Sequence, residues 1–152
     1  MGFTVLNQYR DKWVLSAAAK VVGGGTIDVE PVWLVDIPDS ATLTKTLEEL
    51  VAEDHPIIPE PDWNDRRFVV GIRAEAVGAK TWRAFTKEAR AFKLEQKPDG
   101  LVLEEWPKEG GSFSANATWR RVFPPGAFAA VVDCLLDATK ESLPKRKPKR
   151  AS

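Results

Sequence analysis

His55 is the only histidine and Cys134 the only cysteine in the 152 residues, and these two side chains bound the chemistry available. A Ser-His-Asp or Cys-His device needs an imidazole base beside a hydroxyl or thiol. His55 stands before Pro56 in an extended stretch, with no serine or cysteine in a nucleophile context, so it reads as a structural or surface residue. A zinc centre takes three or four Cys, His or carboxylate ligands, and one cysteine with one histidine falls short of the usual set. Cys134 lies beside an apolar helical stripe and reads as an inert, half-buried thiol. Gly23-Gly24-Gly25 could cradle a phosphate only if it led into a helix N-terminus. It leads into a strand pattern instead, without the lysine of a P-loop, and reads as a turn. Paired carboxylates such as Glu48-Glu49 and Glu104-Glu105 could do acid–base work. Neighbours on a strand face opposite sides, and runs of charge are usually solvated. The residue types therefore point away from catalysis and call for no metal or cofactor.

Six tryptophans are the other notable reactive surface. Trp33, Trp82 and Trp119 fall in periodic, core-like positions. Trp63 and Trp106 lie near prolines or turns among polar neighbours. They either cover the ends of the core or act as anchors in a protein interface, where Trp, Tyr and Arg carry much of the binding energy.

The elements that must position these residues follow from pattern. Residues 3–22 carry β-type material suited to a hairpin, although Ala17-Ala18-Ala19 would also suit a helix. Gly23-Gly24-Gly25 turns the chain. A strand follows over 26–37, with Pro31 marking an edge or a bulge. Leu43, Leu47, Leu50 and Val51 recur at helical spacing, predicting a helix over 41–53. Three prolines at 56, 59 and 61 enforce an extended link. Phe68 to Ile72 reads as a short buried strand. Thr81 starts a short helix with Trp82, Phe85 and Ala89 on one side. Residues 91–95 and 101–106 read as paired strands around the Lys97-Pro98-Asp99-Gly100 turn. Residues 112–123 read as a further strand, and Phe128, Val131, Val132, Leu135 and Leu136 as a final helix.

Part of this list is written twice. Gly24-Gly25, Trp33 and Pro38 recur as Gly110-Gly111, Trp119 and Pro124, each pair 86 residues apart (119 − 33 = 86). Both copies run into a helix. The prediction is a single α+β domain over 1–143, with a largely antiparallel sheet, packed helices and an internal duplication of a strand–turn–strand–helix unit. Residues 144–152 form a separate basic tail, expected to be disordered.

The zero net charge, from 22 basic and 22 acidic side chains, hides an asymmetry. Lys145, Arg146, Lys147, Lys149 and Arg150 lie in the tail, so the body holds 17 − 22 = −5. The tail could contact phosphates or serve in nuclear import, but the acidic body repels polyanions and a solubilising role fits better. A lone cysteine, no bilayer-length apolar run, and an N-terminus without a secretion or myristoylation pattern make the cytoplasm the default compartment.

Taken together, these motifs resemble those of the immunity proteins of bacterial contact-dependent growth inhibition, called CdiI. The resemblance rests on the glycine turn at 23–25, the leucine ladder of Leu43, Leu47 and Leu50, and the proline-rich link. It extends to a Trp-x-x-Phe segment at Trp82 and Phe85, to Gly110-Gly111-Ser112-Phe113, and to the C-terminal apolar helix. It covers residues of about 15–138. It implies a cytoplasmic, non-enzymatic protein that binds the toxin domain at the C-terminus of a CdiA protein, commonly a nuclease acting on tRNA or DNA. The toxin's active site, or a surface next to it, would be masked. A nuclease presents a basic cleft, toward which an acidic inhibitor is steered. The acidic surface expected to meet it comprises Glu48, Glu49, Glu53, Asp54, Glu60, Asp62 and Asp65, with Trp63 inside the cluster. A second candidate patch is Glu104, Glu105, Trp106 and Glu109. Three other readings stay open: a nucleic-acid-associated protein working through the tail, an enzyme using carboxylates and His55, and a scaffold subunit of a larger complex.

Overall fold

The computed structural model describes residues 2–110, 112–114 and 116–140. The chain opens with the hairpin β1 (Phe3–Tyr9) and β2 (Lys12–Val21), and β2 turns at the glycines into β3 (Thr26–Asp36). The helix α1 (Ser40–Ala52) follows, its first turn capped by the Asp39 carboxylate, which accepts from the Thr42 backbone N–H at 3.1 Å. A link carries the two-residue strand β4 (Ile57–Ile58) and three short helices, α2 (Arg66–Val70), α3 (Ile72–Ala76) and α4 (Trp82–Glu88). The second half runs through β5 (Ala89–Lys97), β6 (Gly100–Trp106), a small hairpin of β7 (Lys108–Glu109) and β8 (Ser112–Phe113), then β9 (Trp119–Phe123) and α5 (Phe128–Thr139).

The main sheet is antiparallel in the order β3-β2-β1-β5-β6-β9, with β4 lying parallel beside the end of β2. The α+β class, the single domain and the mostly antiparallel sheet agree with the sequence reading. Ala17-Ala18-Ala19 is strand, not helix. Pro31 sits on an edge strand and in a bulge: Ser16 pairs Val32 while Ala17 pairs Val29, leaving Glu30 and Pro31 without partners across the ladder. Both positions tolerate the missing N–H.

The duplication is larger than its motif. Each half is three antiparallel strands followed by a helix, and the halves meet at the β1–β5 pair. Leu6 pairs Leu15 in one half and Leu94 pairs Leu103 in the other; Leu15 pairs Trp33, and Leu103 pairs Arg121. The structural offset is therefore 94 − 6 = 88, not the 86 read from the Gly, Trp and Pro spacing. Trp33 corresponds to Arg121, and Trp119 lies two residues before that position. Because the slip is even, it leaves Trp119 on the same face of the sheet. The helices obey the same offset: Leu43, Leu47 and Val51 correspond to Val131, Leu135 and Thr139, and all six are buried.

Three sequence expectations about individual elements fail. Phe68 to Ile72 is not a strand. Asp65 caps a helical turn there, accepting from the Arg67 N–H at 3.0 Å, and Gly71, at φ 99°, separates α2 from α3. Only Val70 and Ile72 of the apolar run are buried, while Val69 is 66% exposed. A five-residue apolar run cannot tell strand from buried helix by periodicity alone. Residues 112–123 are not one strand either: Ser112–Phe113 pairs with Lys108–Glu109 as a separate hairpin, and β9 begins only at Trp119. Ala89, expected on the last turn of a helix, ends α4 and opens β5. The tail at 144–152 and Gly111 lie outside the described residues.

The core has two layers. On one face of the sheet, Leu6, Trp13, Leu15, Phe92, Leu94, Leu101 and Leu103 pack under α1 and α5. Burying a leucine side chain of this kind contributes about 2 kcal/mol. On the other face, Tyr9, Val14 and Ala89 pack under Val70, Ala74 and Phe85 of the link helices. This second cover lies over β1 and β2 and reaches the start of β5 at Ala89. Among the described residues no helix is long and apolar enough to cross a membrane.

Candidate functional site

The link covers the first half of the sheet incompletely and leaves a groove of about 750 Å³. Its depth originates in the sequence Ser16-Ala17-Ala18-Ala19. Alternation puts Ser16 and Ala18 on the same face of β2, and their small side chains leave a space that larger residues would fill. Ala18 pairs Asp28 of β3, which places that carboxylate beside the empty volume. Phe3 and Val5 of β1 continue the floor. Trp63, Phe68 and His55 from the link, with Trp82 and Trp106, supply aromatic walls.

A buried cation fixes the floor. Arg73 of α3 is 2% exposed and bonds Ser16 Oγ at 3.0 Å and Asn7 Oδ1 at 2.9 Å. It also pairs with the Asp28 carboxylate at 3.2 Å. A buried guanidinium without these acceptors would carry a large desolvation cost, so α3 is locked onto β1 and β2. Asp28 also accepts from Ser16 Oγ at 3.1 Å. At the rim, Arg67 joins Glu30 at 2.9 Å to Asp65 at 3.2 Å. Hydrogen bonds donated by the Arg67 side chain and backbone N–H hold the Asp65 carboxyl below the ordinary aspartate range.

The structure brings some predicted residues together and separates others. Glu53, Asp54 and Trp63 of the first predicted patch line the groove, and so does Trp106 of the second. Glu60 stays at the rim, accepting from the Trp63 indole at 2.7 Å. Its side chain occupies the space a Cβ on Gly23 would need, so that glycine lets the turn and the link pack together. Asp62 is exposed and accepts from the Asn64 N–H at 3.0 Å. Glu48 and Glu49 are exposed on α1 and do not line the groove.

The second patch is not one acidic surface. Glu104 and Glu105 point to opposite faces of β6, and both are neutralised. Glu105 receives Arg90 at 2.7 Å and the Trp119 indole at 3.0 Å. Glu104 is 7% exposed and receives the Trp106 indole at 3.0 Å and Arg120 at 3.1 Å. Burial works against its charge, but these donors hold the Glu104 carboxyl below its usual range. Glu109 remains exposed on β7.

Asp28, Glu30, Arg67 and Arg73 were not singled out from sequence. The signal available for them was the small-residue run 16–19 inside a strand, opposite an aromatic-rich link. The groove lining also includes the exposed apolar side chains of Trp63 (48%) and Val69 (66%). Exposed apolar residues rimmed by charge mark interaction sites more often than catalytic ones. Among the described residues no group of three or more His, Cys, Asp or Glu side chains could hold a metal ion. His55 donates from Nε2 to the Phe3 carbonyl at 3.1 Å and packs edge-on against the Phe3 ring, with no hydroxyl or thiol hydrogen-bonded to it among the described residues.

No family model matches the chain, and no curated protein matches it. Solved structures that share its fold include the following two. One is a protein of unknown function from Neisseria meningitidis, NMB0488, with a TM-score of 0.62 at 13% identity, covering 90% of this chain and 94% of that one. The other is a chain of the CdiA-CT/CdiI toxin and immunity complex from Yersinia pseudotuberculosis, with a TM-score of 0.60 at 12% identity, covering 93% of this chain and 97% of that one. The α+β fold of this chain is thus one that also occurs in a toxin–immunity complex.

Proposed function

We propose that this chain is an immunity protein: it binds the toxin domain at the C-terminus of a CdiA protein in the cytoplasm and neutralises it by masking its active site or substrate surface. The observation that carries this reading is the likeness, over nearly the whole chain, to a component of a CdiA-CT/CdiI complex. The groove supports it physically. Its lining combines the exposed Trp63 and Val69 with Glu53 and Asp54, the mixture that suits a docking face for a basic protein. The toxin is a nuclease in this reading, because a polyanion-binding cleft supplies the complementary charge. The chain itself catalyses nothing. A tight complex would bury on the order of 1,600 Å² in total, with Trp63 as one anchor.

The test is co-expression with the polypeptide encoded immediately upstream, followed by affinity purification and binding kinetics. A stable complex is expected. Reversing the charge at Glu49, Glu53 and Asp62 together should slow association about tenfold or more at low salt and flatten its salt dependence. Unchanged kinetics would remove this surface from the interface. Failure of the upstream product to bind at micromolar concentration would defeat the proposal.

A further inference from the structure

The acid excess of the body is not spread evenly. Glu48, Glu49, Glu53, Glu60 and Asp62 are exposed on α1 and the link, whereas α4 and β7 present cations. Arg83 and Lys87 stand four residues apart on α4, so they share one exposed face, turned away from the buried Phe85. Lys108 of β7 donates to the Lys87 carbonyl at 2.8 Å, which sets its ammonium against the end of that face. Among the described residues Arg83, Lys87 and Lys108 have no ion-pair partner. Glu88, next in sequence to Lys87, is bonded to Arg10 at 3.0 Å. Glu109 alternates to the other side of β7 from Lys108. Burial, and then the nearby Arg90, push the Lys108 ammonium below the ordinary lysine range. A cation depressed by a neighbouring cation marks positive potential that the chain leaves uncompensated.

Arg90 also ties this region to the end of α5. It bonds Glu105 and donates to the Ala138 carbonyl in the last turn of that helix. Past α5 the sequence adds Lys145, Arg146, Lys147, Lys149 and Arg150. The sequence reading set these five cations against an acidic body, but the helix that leads to them ends beside the cations of α4 and β7. From this juxtaposition we infer that α4 and β7, with the basic residues that follow α5, form a second binding surface, for the phosphodiester backbone of a nucleic acid. Backbone binding needs clustered cations and no groups that read bases. A protein partner would call for apolar anchors, and a membrane for an apolar face or an acyl chain. The large exposed apolar residues of the described chain, Val22, Leu34, Ile57, Trp63, Val69 and Val122, all lie outside α4 and β7. The surface goes beyond the toxin-binding reading and uses different residues: none of Arg83, Lys87 and Lys108 lines the groove.

The experiment titrates the full chain into a fluorescein-labelled DNA duplex of mixed sequence, about 20 base pairs long, and follows anisotropy from about 50 to about 200 mM salt. A micromolar Kd at low salt and a steep loss with added salt are expected. Arg83→Gln with Lys87→Gln should weaken binding about tenfold at low salt and lower the salt slope by about two. Lys20→Gln with Lys45→Gln removes the same charge from exposed positions of β2 and α1 and should change the Kd by less than about twofold. Replacing the five cations at 145–150 by glutamine in the full chain should weaken binding further while the α4 pair keeps its effect. Circular dichroism confirms the fold of each variant. Absence of binding, equal losses from the two pairs of substitutions, or binding that depends on residues 145–150 alone would overturn the inference. Tighter binding of poly-L-glutamate than of the duplex would also overturn it, by assigning the surface to an acidic protein. None of these outcomes touches the toxin reading, which is tested on Glu49, Glu53 and Asp62.

Discussion

Arg73 shows how much a single side chain can organise. It reaches from a five-residue helix into the sheet, where Ser16, Asn7 and Asp28 receive it. Removing it strands three acceptors. Arg73→Ala should destabilise the chain by about 2–3 kcal/mol, somewhat less than a fully buried pair would lose because Asp28 keeps partial contact with water. Urea unfolding measures this, and a change under 1 kcal/mol would show that the link docks without the guanidinium. Glu104 makes a second prediction. Its carboxyl lies below the ordinary value of 4.5 in the folded chain, so the native state binds that proton less readily than the unfolded one. Its contribution is fully present above the unfolded carboxyl range and is lost as pH falls through the depressed folded value. Stability should therefore drop as pH falls below the ordinary carboxyl range, and Glu104→Gln should make that decline shallower. An identical acid limb in the variant would remove Glu104 as a cause. Neither role was legible from residue order. Strand alternation already set Glu104 and Glu105 on opposite faces. Their partners Arg90, Arg120 and two indoles, which make them two neutralised sites, come from distant or unforeseen positions. Arg73 read as one more charge, since burial of a cation depends on acceptors 45 to 66 positions away (73 − 28 and 73 − 7).

Helix α1 and helix α5 occupy equivalent places in two halves, and the offset of 88 makes that equivalence quantitative. Leu47 and Leu135 are fully buried counterparts. Leu47→Ala and Leu135→Ala should each cost about 3 kcal/mol, within about 1 kcal/mol of one another, since each opens a similar cavity on the same sheet face. Thermal or urea unfolding tests this; a large cost at one site and none at the other would contradict equivalent packing. These helices were readable because a 3.6-residue period over a dozen residues is a strong signal. The repeat was readable in kind but displaced by two residues, because Gly, Trp and Pro mark turns and ends, whereas register is set by cross-strand pairing. The link was read least well. Its helices α2 and α3 are one turn each, too short for periodicity, and tertiary packing decides their form. The groove exists because that link covers small residues on β2, a juxtaposition no local pattern announces.

At the scale of the whole molecule, a symmetric sheet is made asymmetric by one insertion. The link covers part of one face, and acids and aromatic walls collect at that cover. Binding at a face of this kind is steered by charge and anchored by a few large side chains. The α+β class could be read from the strand and helix patterns, and the acidic link from composition. The measurement that bears most directly on the central claim is growth of cells producing the upstream-encoded toxin domain, with and without this chain. The account predicts that the chain restores growth and titrates the toxin's activity to zero at an equimolar ratio, and that the Glu49, Glu53 and Asp62 charge reversal impairs both. Growth arrest that the chain leaves unrelieved, or relief at far below one chain per toxin as turnover would give, would contradict it.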